Sequence, residues 1–288
     1  MHPAPSIILF TTLSGLGFGL LFWLGIDATP ATGKIAFAFY AIGFAFALSG
    51  LAASAGHLGR PERAFKAFSQ WRSSWLSREA WIACAALICA GLYAAALIFA
   101  ARAYPPLGWL SAGLSLLTVL ATSMIYTQLK SVPRWHHAGT PILFLALSLS
   151  GGALLSGRVS IAIALLALTG VLQLWNWIDG DKRLARSGSD MNSATGLQGQ
   201  VRAFEPPHTG TNYLLREMVH MVGRKHAHKL RIIAMCLMIL MPVFFLLVPL
   251  GHVGAVLSVL CHISGVLTAR WLFFAEAEHV VGLYYGKR

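Results

Sequence analysis

The feature that most constrains this chain is a series of apolar stretches, each close to the length that an α-helix needs to cross a lipid bilayer. A hydrocarbon core about 30 Å thick requires roughly 20 residues of helix. The stretches are separated by short turns rich in proline and glycine, which mark the ends of helices. The predicted spans are residues 6–26, 35–56, 79–101, 107–127, 141–156, 159–178, 231–250 and 252–275. We therefore predict an all-α integral membrane protein in which residues 1–288 form one bundle of eight transmembrane helices.

The composition excludes the main alternatives to a membrane protein. Charged residues make up 11% of the 288 residues and hydrophobic residues 57%, whereas about a quarter of an ordinary soluble domain is charged. A soluble enzyme and a disordered chain are therefore both excluded. The four cysteines lie in apolar stretches and do not have metal-ligand spacing, so we expect buried free thiols and no metal site.

The basic residues predict how the bundle is oriented. An even number of spans places both termini at one end of the bundle, here called face A. The loops and the C-terminal tail at face A contain 18 Lys and Arg residues, and the opposite turns contain only Lys34, Arg102 and Arg158. Because basic loops are retained in the cytoplasm, we expect face A and both termini to be cytoplasmic. The net charge of +12 then reflects topology, and we expect no nucleic-acid partner.

Face A also carries most of the chain outside the predicted spans, in the cytoplasmic loops 57–78 and 179–230. Both loops contain segments in which basic residues alternate with aromatic or aliphatic ones, a pattern that suits lipid headgroups or a docked protein. We expect contacts with membrane lipids and with a partner subunit. The predicted docking residues are Arg63, Lys66, Arg72, Arg134, Arg216 and Lys225.

Ionisable side chains at membrane depth are costly and mark functional sites, and in this sequence they converge near face A. They stand at the ends of four different spans. They are His57, Arg60, Glu79, Tyr126, Arg270, Glu276 and His279. Structural alternatives remain open for four of them: a helix cap for His57, a helix-dipole contact for Glu79, an interfacial ring for Tyr126, and snorkelling or pairing with Glu276 for Arg270.

This set of side chains suits a quinone, which needs an apolar cleft, a hydrogen-bond donor for each ring carbonyl and a source of two protons. Histidine and carboxyl groups can both hydrogen-bond and exchange protons. The predicted quinone-binding residues are His57, Arg60, Glu79, Tyr126 and Arg270. The predicted proton relay consists of Glu79, Glu276 and His279.

Three other functions are disfavoured by the sequence. Haem needs two axial ligands, and His262 is the only histidine well inside a predicted span. A secondary transporter predicts inverted repeats and broken or polar helices near the bilayer midplane, and neither is evident. A passive anchor needs only one or two spans. No haem is therefore expected, and a redox role at the quinone is favoured.

The motifs that carry these residues resemble a known family. His57-Leu58-Gly59-Arg60-Pro61, followed by Arg63-Ala64-Phe65 and Trp75-Leu76-Ser77-Arg78-Glu79, resembles the signature of the membrane anchor subunits of dimethyl sulfoxide reductase-type molybdoenzymes. Residues 126–133, 140–141 and 270–282 resemble later, looser motifs of the same family. The resemblance extends over all eight predicted spans.

The resemblance implies a haem-free anchor in the bacterial inner membrane. Such an anchor exchanges electrons between a quinone, either ubiquinone or menaquinone, and a docked iron–sulfur subunit that serves a molybdopterin catalytic subunit. The iron–sulfur clusters and the molybdopterin would belong to these partners. The resemblance implies quinol-binding roles for His57 and Glu79 and, less firmly, for Tyr126 and Arg270.

One departure from the family bears on the direction of electron flow. The dimethyl sulfoxide reductases proper have their docking face outside, whereas the charges here predict a cytoplasmic face A. In this respect, and at residues 1–4 and 204–210, the sequence is similar to the anchor of the cytoplasmic membrane-bound sulfite dehydrogenases. We therefore expect sulfite oxidation coupled to quinone reduction. The alternative is menaquinol oxidation in a dimethyl sulfoxide reductase.

The orientation can be tested with reporters fused after Arg288. We expect a green fluorescent reporter to fluoresce and an alkaline phosphatase reporter to be inactive, because each works on one side of the membrane only. The opposite pattern would put face A outside and favour the menaquinol-oxidising alternative.

Overall fold

The computed structural model describes residues 1–56, 60–205, 207–219 and 226–285, and within them all regular structure is helical. Eight long helices follow one another in these ranges. They are α1 (Pro5–Gly25), α2 (Gly33–Ala55), α3 (Trp75–Phe99), α4 (Pro105–Thr127), α5 (Gly139–Leu155), α6 (Val159–Arg186), α7 (Ala227–Leu247) and α8 (Gly251–Ala275). Short helical segments at Pro61–Phe68, Met191–Thr195, Leu214–Met218 and Val280–Tyr285 lie between or after them.

The predicted all-α architecture is confirmed. Seven of the described helices are long and apolar enough to cross a membrane. The exception is α5, which has 17 residues and is therefore about 25 Å long. Eight spans thus remain a prediction. Helix α6 has 28 residues and ends at Arg186, eight residues beyond its predicted end, so its last two turns extend past the apolar stretch.

Proline and glycine define several helix ends as the sequence predicts. Pro5 and Pro105 occupy the first positions of α1 and α4, where a missing N–H costs nothing because that group has no partner within the helix. Gly157, with φ of +73°, turns the chain between α5 and α6. Next to this turn, Arg158 pairs with Asp27 at 2.9 Å, which joins the α5–α6 and α1–α2 connections at the end opposite face A.

Helix α1 is the centre of the bundle and packs against α2, α4, α5 and α8. Glycines permit close approach of the helix backbones, which is the usual basis of helix packing in membranes. A Cβ atom on Gly152 of α5 would lie 2.2 Å from the carbonyl carbon of Gly19 of α1, and one on Gly17 would lie 2.3 Å from the backbone nitrogen of Ala47. These contacts leave no space for a larger residue at either glycine.

Helix α7 is interrupted by a π-helical turn at Cys236–Leu240, directly before Pro242. Pro242 has no N–H to donate to the carbonyl oxygen of Met238, four residues earlier. The Nδ1 atom of His262 in α8 lies 2.8 Å from that oxygen, and because a carbonyl can only accept, His262 donates. The one histidine well inside a predicted span therefore stabilises the α7–α8 contact.

The contact between α1 and α5 yields a stability prediction. Substituting Gly152→Ala should lower the melting temperature of the purified protein, since overpacking a tight contact typically costs about 1–3 kcal/mol. The matched control is Gly113→Ala in α4, where an added Cβ meets nothing within 4 Å. Equal melting temperatures for the two variants would contradict the observed packing of α1 on α5.

Candidate functional site

Three of the predicted site residues lie together inside the bundle near face A. Glu79 is in the first turns of α3, Tyr126 in the last turn of α4 and Arg270 near the end of α8. Glu79 and Arg270 are each 3% exposed and Tyr126 is 7% exposed. Tyr126 is within electrostatic range of both charged groups. The topology thus brings together residues that are up to 191 positions apart in the sequence.

Glu79 forms a hydrogen bond that suits either of its protonation states. The hydroxyl of Thr122 in α4 donates to the Glu79 carboxylate, and the same oxygen lies 3.0 Å from the carbonyl oxygen of Thr118. When Glu79 is ionised, Thr122 donates to it. When Glu79 is protonated, the carboxyl can donate to Thr122, whose own proton then turns to the Thr118 carbonyl. Both forms of the carboxyl group are therefore satisfied.

Arg270 is a buried cation. Its guanidinium carbon lies 3.5 Å from the centre of the Phe144 ring, and its Nε atom has no hydrogen-bond partner within the described part of the chain. Glu276, which the sequence offered as an ion-pair partner, pairs with Arg134 and Arg231 instead. A buried donor without a partner is costly in a protein interior. The ion pair between Arg270 and Glu276 that the sequence offered is therefore not formed.

Two small cavities lie beside Arg270. The first, of about 10 Å³, is lined by Thr122, Arg270 and hydroxyl-bearing residues of α1 and α5. The second, of about 20 Å³, is lined by Arg270, Gln173, Asn176 and Glu276. A cavity of about 10–15 Å³ accommodates one water molecule when it has polar partners. Each cavity therefore suits water, and neither has room for a quinone ring.

A larger groove lies outside the bundle at the start of α3. It measures about 350 Å³, has mostly apolar walls and is lined by Trp71, Arg78, Trp81 and Ile82. Its volume falls in the range of about 300–1,000 Å³ that is typical of ligand pockets. Glu79 follows Arg78 in the chain, but its own carboxyl is turned into the bundle. The groove, which has room for a quinone ring, and the Glu79 carboxyl thus lie at the same level of α3. They face different sides of this helix.

Of the remaining predicted quinone ligands, Arg60 does not line these spaces. His57 lies outside the described residues, after the end of α2. Arg60 is described, and its side chain is exposed at face A. The described part of the predicted site is therefore formed by Glu79, Tyr126 and Arg270.

Four charged residues form an ion network at face A that the sequence reasoning identified only in part. Arg134 pairs with Asp181 at 2.9 Å and with Glu276 at 2.7 Å, and Arg231 pairs with the same two carboxylates at 2.6 Å and 2.7 Å. Glu276 is 5% exposed and Asp181 is 46% exposed. The network connects the α4–α5 loop with α6, α7 and the end of α8. Asp181 could have been suspected because acidic residues are scarce in this basic chain.

His279, a predicted proton-relay residue, lies just after α8 and is half-buried. Burial lowers its pKa, and the positive N-terminal amine acts in the same direction. Its Nδ1 atom accepts a hydrogen bond from the backbone N–H of Val281 at 3.1 Å. His279 is therefore mostly a neutral imidazole at pH 7, with its proton on Nε2.

The predicted docking residues have different environments. Arg63, Lys66, Arg72 and Arg216 are exposed. Arg134 is 12% exposed and is engaged in the ion network, and Lys225 lies outside the described residues. Exposed arginines and lysines are thus available on both loops of face A.

The cysteines are free, as expected, but their predicted burial is wrong. Cys84 is exposed and the other three are partly exposed, because these helix faces are not covered by neighbouring helices. Among the described residues, no group of three or more His, Cys, Asp or Glu side chains has an arrangement that could hold a metal ion.

Comparison with known proteins identifies the class of this chain. The family model described as "DMSO reductase anchor subunit (DmsC)" matches residues 1–178. The chain belongs to this family and is a multi-pass membrane protein. It is similar to a sulfite dehydrogenase subunit of Allochromatium vinosum, with 31% identity over an alignment that covers 99% of each chain. No solved structure matches the chain significantly.

The ion network predicts a large effect of a conservative substitution. Glu276→Gln should destabilise the protein by about 3 kcal/mol, because it leaves Arg134 and Arg231 in a shielded site with one carboxylate fewer. Thermal unfolding of the purified protein measures this effect. The control is Glu62→Gln, because Glu62 is exposed. If both variants lost equally little stability, the network would not stabilise the bundle.

Proposed function

We propose that this chain is the quinone-reactive anchor of a molybdoenzyme complex, passing electrons from a docked iron–sulfur subunit to the membrane quinone pool during sulfite oxidation. The observation that carries this proposal is the buried Glu79 carboxyl, hydrogen-bonded by Thr122, in a chain 31% identical to a sulfite dehydrogenase subunit. The iron–sulfur clusters and the molybdopterin would reside in the partner subunits. Arg63, Lys66, Arg72 and Arg216 would contact the iron–sulfur subunit.

The second candidate is the anchor of a dimethyl sulfoxide reductase, with electrons flowing from menaquinol to the iron–sulfur subunit. The family match over residues 1–178 favours it. The two candidates require opposite orientations of face A, so the reporter fusions after Arg288 distinguish them.

We propose that all eight long helices cross the bacterial inner membrane as one domain, with face A in the cytoplasm. The ends of α5 support this proposal. Before α5, Arg134 pairs with Asp181 and Glu276 near the end of α8. After α5, Arg158 pairs with Asp27 between α1 and α2. The 17 residues of α5 therefore connect the two ends of the bundle.

The groove lined by Trp71, Arg78, Trp81 and Ile82 is the proposed point of entry from the lipid. A quinone that entered there and moved past α3 to the buried Glu79 carboxyl would accept two electrons and two protons. The groove supplies an apolar wall for the ring, and α3 places Glu79 directly after Arg78. His57, at the end of α2, is proposed as the hydrogen-bond donor, and Glu79 as the group that delivers protons.

The two small cavities support a proposed proton path from face A to Glu79. Asp181 and Glu276 share both arginines of the ion network, and Asp181 is exposed to solvent. Glu276 lines the second cavity, Arg270 lines both cavities, and Thr122 links the first cavity to Glu79. Water in the two cavities would pass protons by exchange of hydrogen bonds, each molecule receiving one proton and giving one up.

Arg270 is a positioning residue in this proposal. It remains protonated, and its free Nε–H would hold a water molecule in the first cavity. Contact with the Phe144 face stabilises the cation without a carboxylate. Tyr126, packed among Trp135, Phe144, Phe273 and Phe274, closes the same region with aromatic rings. His279 would exchange protons with solvent at face A.

The test uses the purified complex and compares two activities: sulfite oxidation with a quinone analogue and with an artificial dye. We expect His57→Ala and Glu79→Gln to abolish turnover with the quinone analogue and to leave the dye-linked activity unchanged. Thr122→Val should reduce turnover with the quinone analogue at least tenfold and increase its solvent deuterium isotope effect, because a proton-conducting hydroxyl is lost.

The control for Thr122→Val is Thr118→Val, one turn earlier on α4. Thr118 is equally buried, and its hydroxyl donates to the Leu114 carbonyl. Normal turnover with the quinone analogue in Glu79→Gln would refute the proposed function. Loss in Glu79→Gln together with equal activities of Thr122→Val and Thr118→Val would refute only the proton path.

A further inference from the structure

A basic pocket lies at face A between the end of α4 and the end of α6, and it shares no lining residue with the two small cavities. It measures about 440 Å³ and has nearly equal polar and apolar walls. The residues that bear on its ligand are Lys130, His136, Asp179, Arg183 and Arg186. None of them belongs to the proposed electron or proton path.

The charges of this pocket favour an anion. Lys130, Arg183 and Arg186 carry three positive charges, and Asp179 carries the single negative charge. Asp179 is engaged by Arg183 and Arg186, each at 2.6 Å. Two positive charges therefore remain uncompensated among these residues. The pKa of the neighbouring His137, which also lines the pocket, is lowered by burial and then by Arg183, so the region is unfavourable for a further cation.

Hydrogen-bond donors also remain available in the pocket. The Arg183 side chain is 6% exposed, and its Nη2 atom has no partner within the described residues. Arg186 is 61% exposed. The Nδ1 atom of His136 donates to the Thr127 carbonyl oxygen at 2.6 Å, so this N–H is already engaged and is not available to a ligand. Guanidinium groups with free N–H donors bind phosphate oxygens well.

The depth of the pocket matches the lipid headgroups. Residues 159–178 of α6 span about 30 Å as helix, which equals the hydrocarbon core. The pocket begins with Asp179, so it lies in the headgroup layer. Below it, α6 presents exposed apolar side chains on the side that no other helix covers. They are Val171, Leu174, Trp175 and Ile178.

We propose that this pocket binds the phosphate of an anionic phospholipid, whose acyl chains run along the exposed face of α6. Arg186 and Lys130 contact the phosphate, and the buried Arg183 adds its positive charge to the pocket. One lipid can contact both the basic groups and the apolar strip directly beneath them. An acidic protein surface would contact only the basic groups and would leave the strip to other lipids. The pocket therefore favours a lipid. Basic pockets between transmembrane helices are known to recognise anionic headgroups.

The experiment uses the complex, purified with its partner subunits and stripped of lipid in a non-ionic detergent. Short-chain phosphatidylglycerol, short-chain phosphatidylcholine and inorganic phosphate are titrated separately, and the melting temperature is recorded. We expect stabilisation by phosphatidylglycerol alone. Lys130→Gln and Arg186→Gln should each raise the half-saturating lipid concentration roughly fivefold, the equivalent of about 1 kcal/mol per basic residue.

Arg202→Gln is the matched control, because Arg202 is an exposed arginine of the same loop region and does not line the pocket. It should leave the titration unchanged. Equal stabilisation by phosphatidylcholine, or full stabilisation by inorganic phosphate, would overturn the proposal. Unchanged lipid titration in Arg186→Gln, accompanied by dissociation of a partner subunit, would identify the pocket as a protein contact and would also overturn it.

Discussion

The rest of the structure depends on one constraint: the hydrocarbon core supplies no hydrogen-bond partner, so each polar group at that depth must be satisfied by the protein or by enclosed water. Local examples show how this is achieved. His262 donates to the Met238 carbonyl where Pro242 cannot, and Thr122 satisfies Glu79. The close contact of α1 with α5 through Gly19 and Gly152 brings the helices near enough for such contacts to form between them.

Arg270 is the residue for which this constraint is hardest to satisfy, because it is a buried cation. Its cation lies on Phe144 and next to two water-sized cavities, while the carboxylates that could neutralise it are used elsewhere. Glu276 is held by Arg134 and Arg231 at face A. The charged groups thus form two layers: an ion network open to solvent, and a buried layer that contains Glu79 and Arg270. The two cavities lie between these layers, because Arg270 lines both of them and Glu276 lines the second.

Much of the fold was predictable because hydrophobicity and helix-ending residues are local signals. Helix ends agree with the predicted spans to within a few residues, except for the end of α6, where the ion-paired Asp179 and Asp181 extend the helix beyond the apolar stretch. The burial of the cysteines was mispredicted because an apolar residue in a membrane helix can face either lipid or protein. The sequence pattern does not distinguish these two environments.

The class of protein and its helices could be read from the sequence. So could the residues Glu79, Tyr126 and Arg270, because polar groups are rare in apolar stretches. Which of these residues meet depends on how the helices pack. Thr122 is a neutral residue within an apolar stretch, and its contact with Glu79 depends on the packing of α3 against α4. The partner of Glu276 and the size of the spaces beside Arg270 depend likewise on helices distant in sequence, whose relative positions no local pattern encodes.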